Sequence, residues 1–135
     1  MMSAEEVSEL AAHDIEIGSH TCTHPKLTRL SDEEARTEVL GSRHELTKIL
    51  GAAPSTFAYP YGAFSPRIES FVREAGYIAA VSTIRDNRLG PDQLYHLPRV
   101  MVMGSTTLTR FTYMFSWWYH ALHAWKNLRR WSGRR

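Results

Sequence analysis

Apolar positions recur at three- and four-residue spacing in four stretches of the chain, and alternate or cluster over shorter runs between them. The first helical stretch is Ser3 to Ala12, where Val7, Leu10 and Ala11 repeat and Ser3 with Glu6 forms a capping box. The second starts at Ser31-Asp-Glu-Glu34, an N-cap followed by acids at the positive end of the helix dipole. Its buried stripe is Ala35, Val39, Leu46, Ile49 and Leu50, and Gly51 supplies a left-handed stop. The third opens at Ser65-Pro66, buries Ile68, Phe71, Val72 and Ala75, and ends at Gly76. The fourth, Thr106 to Trp131, places Phe111, Met114, Phe115, Trp118, Leu122 and Trp125 at helical spacing.

Between these lie strand candidates. Ile15 and Ile17 alternate with Glu16; Thr56-Phe-Ala-Tyr59 and Tyr77 to Ser82 are compact apolar runs. Leu94 to Met103 holds a last strand interrupted by Pro98, after a polar, turn-rich loop over 85–92. Strands alternating with helices predict an α/β fold with parallel strands joined by crossovers. In such sheets and barrels, chemistry collects at the carboxyl ends of the strands.

At 135 residues, with 43% hydrophobic and 22% charged positions, the chain suits one soluble globular domain. Its net charge of +2 conceals an asymmetry. Residues 104–135 carry six Lys or Arg and no acid, whereas the remainder carries ten basic and fourteen acidic groups. The expected division is therefore a domain over 1–104 and a helical tail over 105–135. That tail reads either as an interfacial helix drawn to anionic lipid or polymer, or as a terminal helix packed across the domain with a solvated basic end. A nucleic-acid role is not expected, since no reading motif accompanies the charge. Residues 1–15 lack the apolar run of a signal peptide, and no stretch is long and apolar enough to span a membrane. The compartment is left open.

The chemistry-bearing stretch is Glu16-Ile-Gly-Ser-His-Thr-Cys-Thr-His-Pro-Lys-Leu27. His20 and His24 stand four residues apart on a predicted turn, before Pro25 blocks a helix. Neutral imidazole is a common ligand of divalent transition metals, and two on one turn can share an ion. The spacing alone equally suits two surface histidines in a loop. What favours a site is that this turn and Tyr59-Pro-Tyr-Gly62 both follow predicted strands, so both fall on one rim. Cys22, the single cysteine, is expected to be a small buried filler rather than a third ligand. His44 reads as an ordinary surface side chain.

Together with Leu30-Ser-Asp-Glu-Glu34, Phe57-Ala-Tyr-Pro-Tyr-Gly62 and Glu74-Ala-Gly-Tyr-Ile-Ala-Ala-Val81, this stretch resembles the polysaccharide deacetylase (NodB homology) family. The resemblance runs from about residue 5 to residue 102. It implies a distorted (β/α) barrel, here incomplete, that removes N- or O-acetyl groups from a carbohydrate polymer or oligosaccharide with a divalent metal. Zinc is the expected ion, with nickel, cobalt or manganese as substitutes. By the same resemblance His20 and His24 are the metal ligands, and Thr21 holds a loop-stabilising hydroxyl. Tyr61 supplies a backbone N–H to the oxyanion, while Tyr59, Pro60 and Gly62 line the groove.

The sequence also departs from the family pattern. The Asp-Asp pair that supplies the catalytic base and third ligand has no match, Asp14 being misplaced, and the pattern puts that first strand upstream of Met1. Ala58 stands where many members have arginine. Leu97-Pro-Arg99 occupies the region of the terminal Leu-x-His motif, leaving His96 as a substitute candidate for the acid. Two readings follow: a metal-dependent carbohydrate deacetylase, or a noncatalytic carbohydrate-binding or partner module derived from one. A barrel without its first strand exposes neighbouring edges, so marginal stability or self-association is expected.

Overall fold

The computed structural model describes residues 2–90 and 92–132. Met1, Pro91 and the last three residues, including Arg134 and Arg135 of the basic tail, lie outside the described residues. Three helices and a short parallel sheet make up the body: α1 (Ala4–Ala12), α2 (Asp32–Leu50), β1 (Thr56–Ala58), α3 (Pro66–Glu74) and β2 (Ala79–Val81). Two further helices, α4 (Leu108–Tyr113) and α5 (Trp117–Ser132), form the tail.

The helix starts follow their sequence signals. Ser3 and Ser31 each close a capping box with the glutamate three residues on, and the Ser65 hydroxyl accepts the Ile68 N–H ahead of Pro66. Gly51 ends α2 in the left-handed region at φ 72°.

β1 and β2 pair in parallel, with Phe57 opposite Ala80. Single bridges extend the row on both sides, Ser19 beside Phe57 and Leu97 beside Val81, both parallel. The lateral order is thus the Ser19 segment, β1, β2, then the Leu97 segment, and all four run the same way. Phe57, Tyr59, Tyr77 and Ala80 face the helices and make a buried core with Leu27, Ala35, Val39, Ile68 and Val72. Ala58, Ala79 and Val81 are half-buried. The period-two alternation of both strands puts one face against α2 and α3 and leaves the other face of small residues partly open.

Three expectations are corrected. The Ile15–Ile17 strand is reduced to the one bridge at Ser19, because the Ile15 N–H is taken by the Leu10 carbonyl at the end of α1 and Ile15 stays exposed. The Leu94–Met103 strand likewise keeps only its Leu97 bridge, Pro98 having no N–H to donate to a ladder. The tail is not one helix. The Asn87 side-chain amide donates to the carbonyls of Met114 and Ser116, at 3.0 and 2.9 Å, which holds a break between α4 and α5. That break turns Met114, Tyr119 and His123 inward, while Phe115, Trp118 and Leu122 of the expected stripe are exposed. The Trp125 side chain is outside the description.

Candidate active site

The histidine turn begins where Ser19 leaves the sheet. The Ser19 N–H donates to Thr56 O at 2.9 Å and Ala58 N–H donates to Ser19 O at 2.8 Å, so His20 is delivered beside the carboxyl end of β1. Glu16 secures the approach by accepting the Ser55 and Thr56 hydroxyls. Underneath, the buried Ser19 hydroxyl donates to Ser42 Oγ on α2 at 2.7 Å.

His20 Nδ1 lies 2.6 Å from the carbonyl of Ala58. A carbonyl only accepts, so Nδ1 carries a proton, and in the neutral ring Nε2 keeps its lone pair. The His20 and His24 rings sit edge to face with centroids 4.8 Å apart. The Tyr61 ring stands a further 4.8 Å from His24 in the same manner. The two turns predicted to share a rim therefore meet, and Tyr61, 65% exposed, is the aromatic they present.

The backbone here is strained. Among the described residues the non-glycine positions at positive φ are Asp14, Thr21, His24 and Tyr61, and the last three belong to these two turns. Thr21 at φ 68° is β-branched and an outlier for the left-handed region. Such conformations persist only where surrounding contacts over-determine them. Those contacts are present. The Thr21 hydroxyl donates to His20 O and accepts the His24 N–H, which is the loop-stabilising geometry. Glu38 of α2 then reaches over: one carboxylate oxygen accepts the N–H groups of Cys22 and Thr23 at 2.8 and 3.0 Å, and the other accepts the Thr23 hydroxyl at 2.6 Å. Burial works against the Glu38 charge, but these three bonds outweigh it and hold its pKa below the usual carboxylate value. Sequence reasoning missed Glu38; its one cue is a carboxylate directly beside the buried stripe position Val39.

In the second turn, Gly62 sits at φ 61°, and a Cβ there would fall 2.1 Å from Thr83 Oγ1 and 2.5 Å from Thr83 N. No other residue fits. The glycine's role is close backbone approach rather than contact with a ligand.

Several expected placements change. Cys22 is exposed, not a buried filler; its Sγ turns toward α2, 3.8 Å from Glu38 O. Desolvation, with added repulsion from Glu38 and Glu45, raises its pKa above the usual thiol value. Tyr59 does not line a groove, because it is 1% exposed and its hydroxyl donates to Tyr95 O at 2.7 Å within the core. Pro60 and Gly62 are buried too, leaving Tyr61 as the displayed member of that turn. His96 stacks on Phe64, with centroids 5.1 Å apart, and its Nδ1 lies 3.0 Å from Glu69 of α3. None of His20, His24 and Tyr61 is among these contacts.

Among the described residues no group of three or more His, Cys, Asp or Glu is gathered to hold a metal ion. The donor set this chain offers is the His20–His24 pair. It fits a divalent cation in kind, since His20 keeps Nε2 free and its orienting carbonyl bond is the support that metal-binding imidazoles use.

The family model for polysaccharide deacetylases matches residues 2–80. Chitin deacetylase 1 of Cryptococcus neoformans is 32% identical over 74 residues, which is 55% of this chain and 15% of that protein. A crystal structure of a polysaccharide deacetylase from Bacillus cereus superposes with a TM-score of 0.75 at 26% identity, over 85% of this chain and 37% of that one. The Streptococcus pyogenes deacetylase PplD, solved with acetate, gives a TM-score of 0.79 at 20% identity over 85% of this chain and 51% of that one, a likeness of fold. The chain spans about a third or less of the length of the curated relatives it matches.

Proposed function

The chain belongs to the polysaccharide deacetylase family, and on that premise we propose that its two turns form one wall of a site that hydrolyses N- or O-linked acetyl groups on a carbohydrate polymer. The observation that carries this reading is the run of three rings, His20, His24 and Tyr61, at the carboxyl ends of neighbouring parallel segments. The parallel row is read as an arc of a (β/α) barrel, with the open face of small residues as its interior.

His20 and His24 would hold a divalent ion, zinc in the first instance or nickel, cobalt or manganese. Such an ion, when bound, supplies Lewis acidity at the acetyl carbonyl and lowers the pKa of water. The chain's own residues do the rest. Ala58 O fixes the His20 tautomer, and Thr21 with Glu38 fixes the spacing of the two imidazoles. The Tyr61 backbone N–H is assigned to the developing oxyanion, and its exposed ring offers a platform for a sugar face. His96, stacked on Phe64 with its Nδ1 beside Glu69, is assigned a structural place in preference to a role as catalytic acid.

A second reading keeps a specific support: among the described residues the two imidazoles gain no third His, Cys, Asp or Glu to complete a metal site. On that reading the groove binds an oligosaccharide without turnover. One set of measurements separates the two. Zinc content is determined for the wild type and for His20→Ala and His24→Ala, with thermal melting as the control for folding. Each variant should lose its bound zinc while melting as the chelator-treated wild type does; zinc retained by both overturns the assignment. Acetate release from N-acetylchitooligosaccharide, stopped by chelator and restored by zinc, supports the hydrolase. Stoichiometric oligosaccharide binding that ignores chelator, without acetate release, supports the binding module.

A further inference from the structure

All four tryptophans of the chain, Trp117, Trp118, Trp125 and Trp131, fall within α5, and residues 104–135 add six Lys or Arg with no acid. The body has no tryptophan at all. This segment is held to the body from one side. His120 Nδ1 lies 2.8 and 2.9 Å from the two Asp86 oxygens, Asn87 holds the carbonyls of Met114 and Ser116, and the Asn127 amide donates to Arg85 O at 3.1 Å. Met114, Tyr119 and His123 are buried beneath. With that side fixed, the opposite side is presented in a set orientation. There Leu108 is 77% exposed, Trp118 67%, Phe115 66% and Trp117 56%. Met101, Val102 and Met103, each at least half exposed, precede them along the chain.

We propose that the outer face of α4 and α5 docks on an anionic phospholipid surface, with the helices lying in the plane of the interface. Three properties select that partner. Indole and phenyl rings fixed toward solvent are the side chains that settle at the headgroup boundary, each burying much apolar surface there. The positive charge of 104–135, with no acid in that stretch, is attracted to acidic lipid, each basic residue near the surface adding to the attraction. The same net charge, carried by a second copy of the segment, disfavours a symmetric dimer. No helix among the described residues is long and apolar enough to cross a membrane, so the geometry is one of lying on the surface.

The tryptophans make the test direct, because every indole signal comes from the segment in question. The whole chain is mixed with phosphatidylcholine vesicles and with vesicles containing about 30% phosphatidylglycerol, and followed by co-sedimentation and tryptophan emission. Expected are a blue-shifted emission and at least tenfold tighter binding to the anionic vesicles, weakening as salt is raised. A Trp117→Ser/Trp118→Ser double variant should bind at least tenfold more weakly with an unchanged melting temperature, and His20→Ala should bind as the wild type does. The last comparison keeps this inference independent of the proposed chemistry. No binding, equal binding to neutral and anionic vesicles, or a double variant that binds undiminished would overturn it. So would concentration-dependent self-association, abolished by the double variant, in place of vesicle binding.

Discussion

The histidine turn and the tail both display side chains to solvent, but the backbones behind them are held in opposite ways. In the turn, the conformation is unfavourable residue by residue, and bonds from distant segments hold it: Ala58 O on His20, Glu38 on Cys22 and Thr23, and Thr21 on its own neighbours. In the tail, the backbone is helix on either side of the break held by Asn87, and the exposed side chains are the costly feature, large aromatic groups left in water. The difference separates two kinds of function. A site that must hold two imidazoles at a set distance concentrates its cost in geometry, where preorganisation is useful. A surface that must leave water for another phase concentrates it in solvation, where a partner can relieve it.

The sharpest way to break this contrast is to truncate one aromatic on each side. Phe57 is 1% exposed and sits against Tyr59 and Tyr77, with centroids 5.3 and 5.2 Å away. Phe57→Ala should cost about 3–5 kcal/mol of stability by transfer and cavity terms together. Trp118→Ser removes a larger side chain that is 67% exposed, and should change stability by less than about 0.5 kcal/mol. Urea unfolding of the two variants checks both values. Comparable losses would mean that the tail is part of the core and that its aromatic face is not free.

A smaller effect tests whether the turn is held from outside. Glu38→Ala removes the acceptor of two backbone N–H groups and of the Thr23 hydroxyl, and should cost about 1–2 kcal/mol. Zinc affinity should fall about tenfold, since supports behind ligands typically carry that much. Glu38→Gln should recover most of the loss. The amide oxygen can accept the two N–H groups, and the amide nitrogen can donate to a reoriented Thr23 hydroxyl. Isothermal titration with zinc, beside a melting curve, distinguishes a loosened turn from a destabilised fold. Equal affinity in all three proteins would show that the turn holds itself.

The sequence made the local elements visible and missed what joins them. Ser3, Ser31, Ser65 and Gly51 mark helix ends by chemistry contained within four residues, and each is found where it points. The inner face of α3 follows from periodicity alone, with Ile68, Phe71, Val72 and Ala75 all buried. The histidine pair and Tyr61 could be placed on one rim because both follow strand signals. Their left-handed backbones could not, since threonine, histidine and tyrosine carry no such preference and the restraint comes from Glu38 on another element. The tail failed for the same reason: Asn87 breaks the helix at Met114–Ser116 from 27 residues or more away, and periodicity carried through the break names the wrong face. Where a backbone is decided by its own side chains, it is readable. Where it is decided by one distant side chain, it is not.

The tail's attachment should therefore also be the part of the molecule most easily adjusted by conditions, and His123 supplies the means. It is 9% exposed, packs on Tyr119 with centroids 4.3 Å apart, and faces Lys126 of its own helix with Arg85 and Asp86 of the body. Burial, then the Lys126 and Arg85 charges, push its pKa below 6.5, against an opposing pull from Asp86. Above pH 6.5 both the docked and the released forms of the helix hold a neutral imidazole, so docking is at full strength. As pH falls through that value, the released form takes up a proton that the docked form resists, and docking weakens until the lowered value is passed. Amide exchange in α5, corrected for its intrinsic rate, should therefore quicken relative to the body between pH 7.5 and 5.5. In His123→Gln that dependence should vanish. If it persists in the variant, the buried imidazole is a bystander.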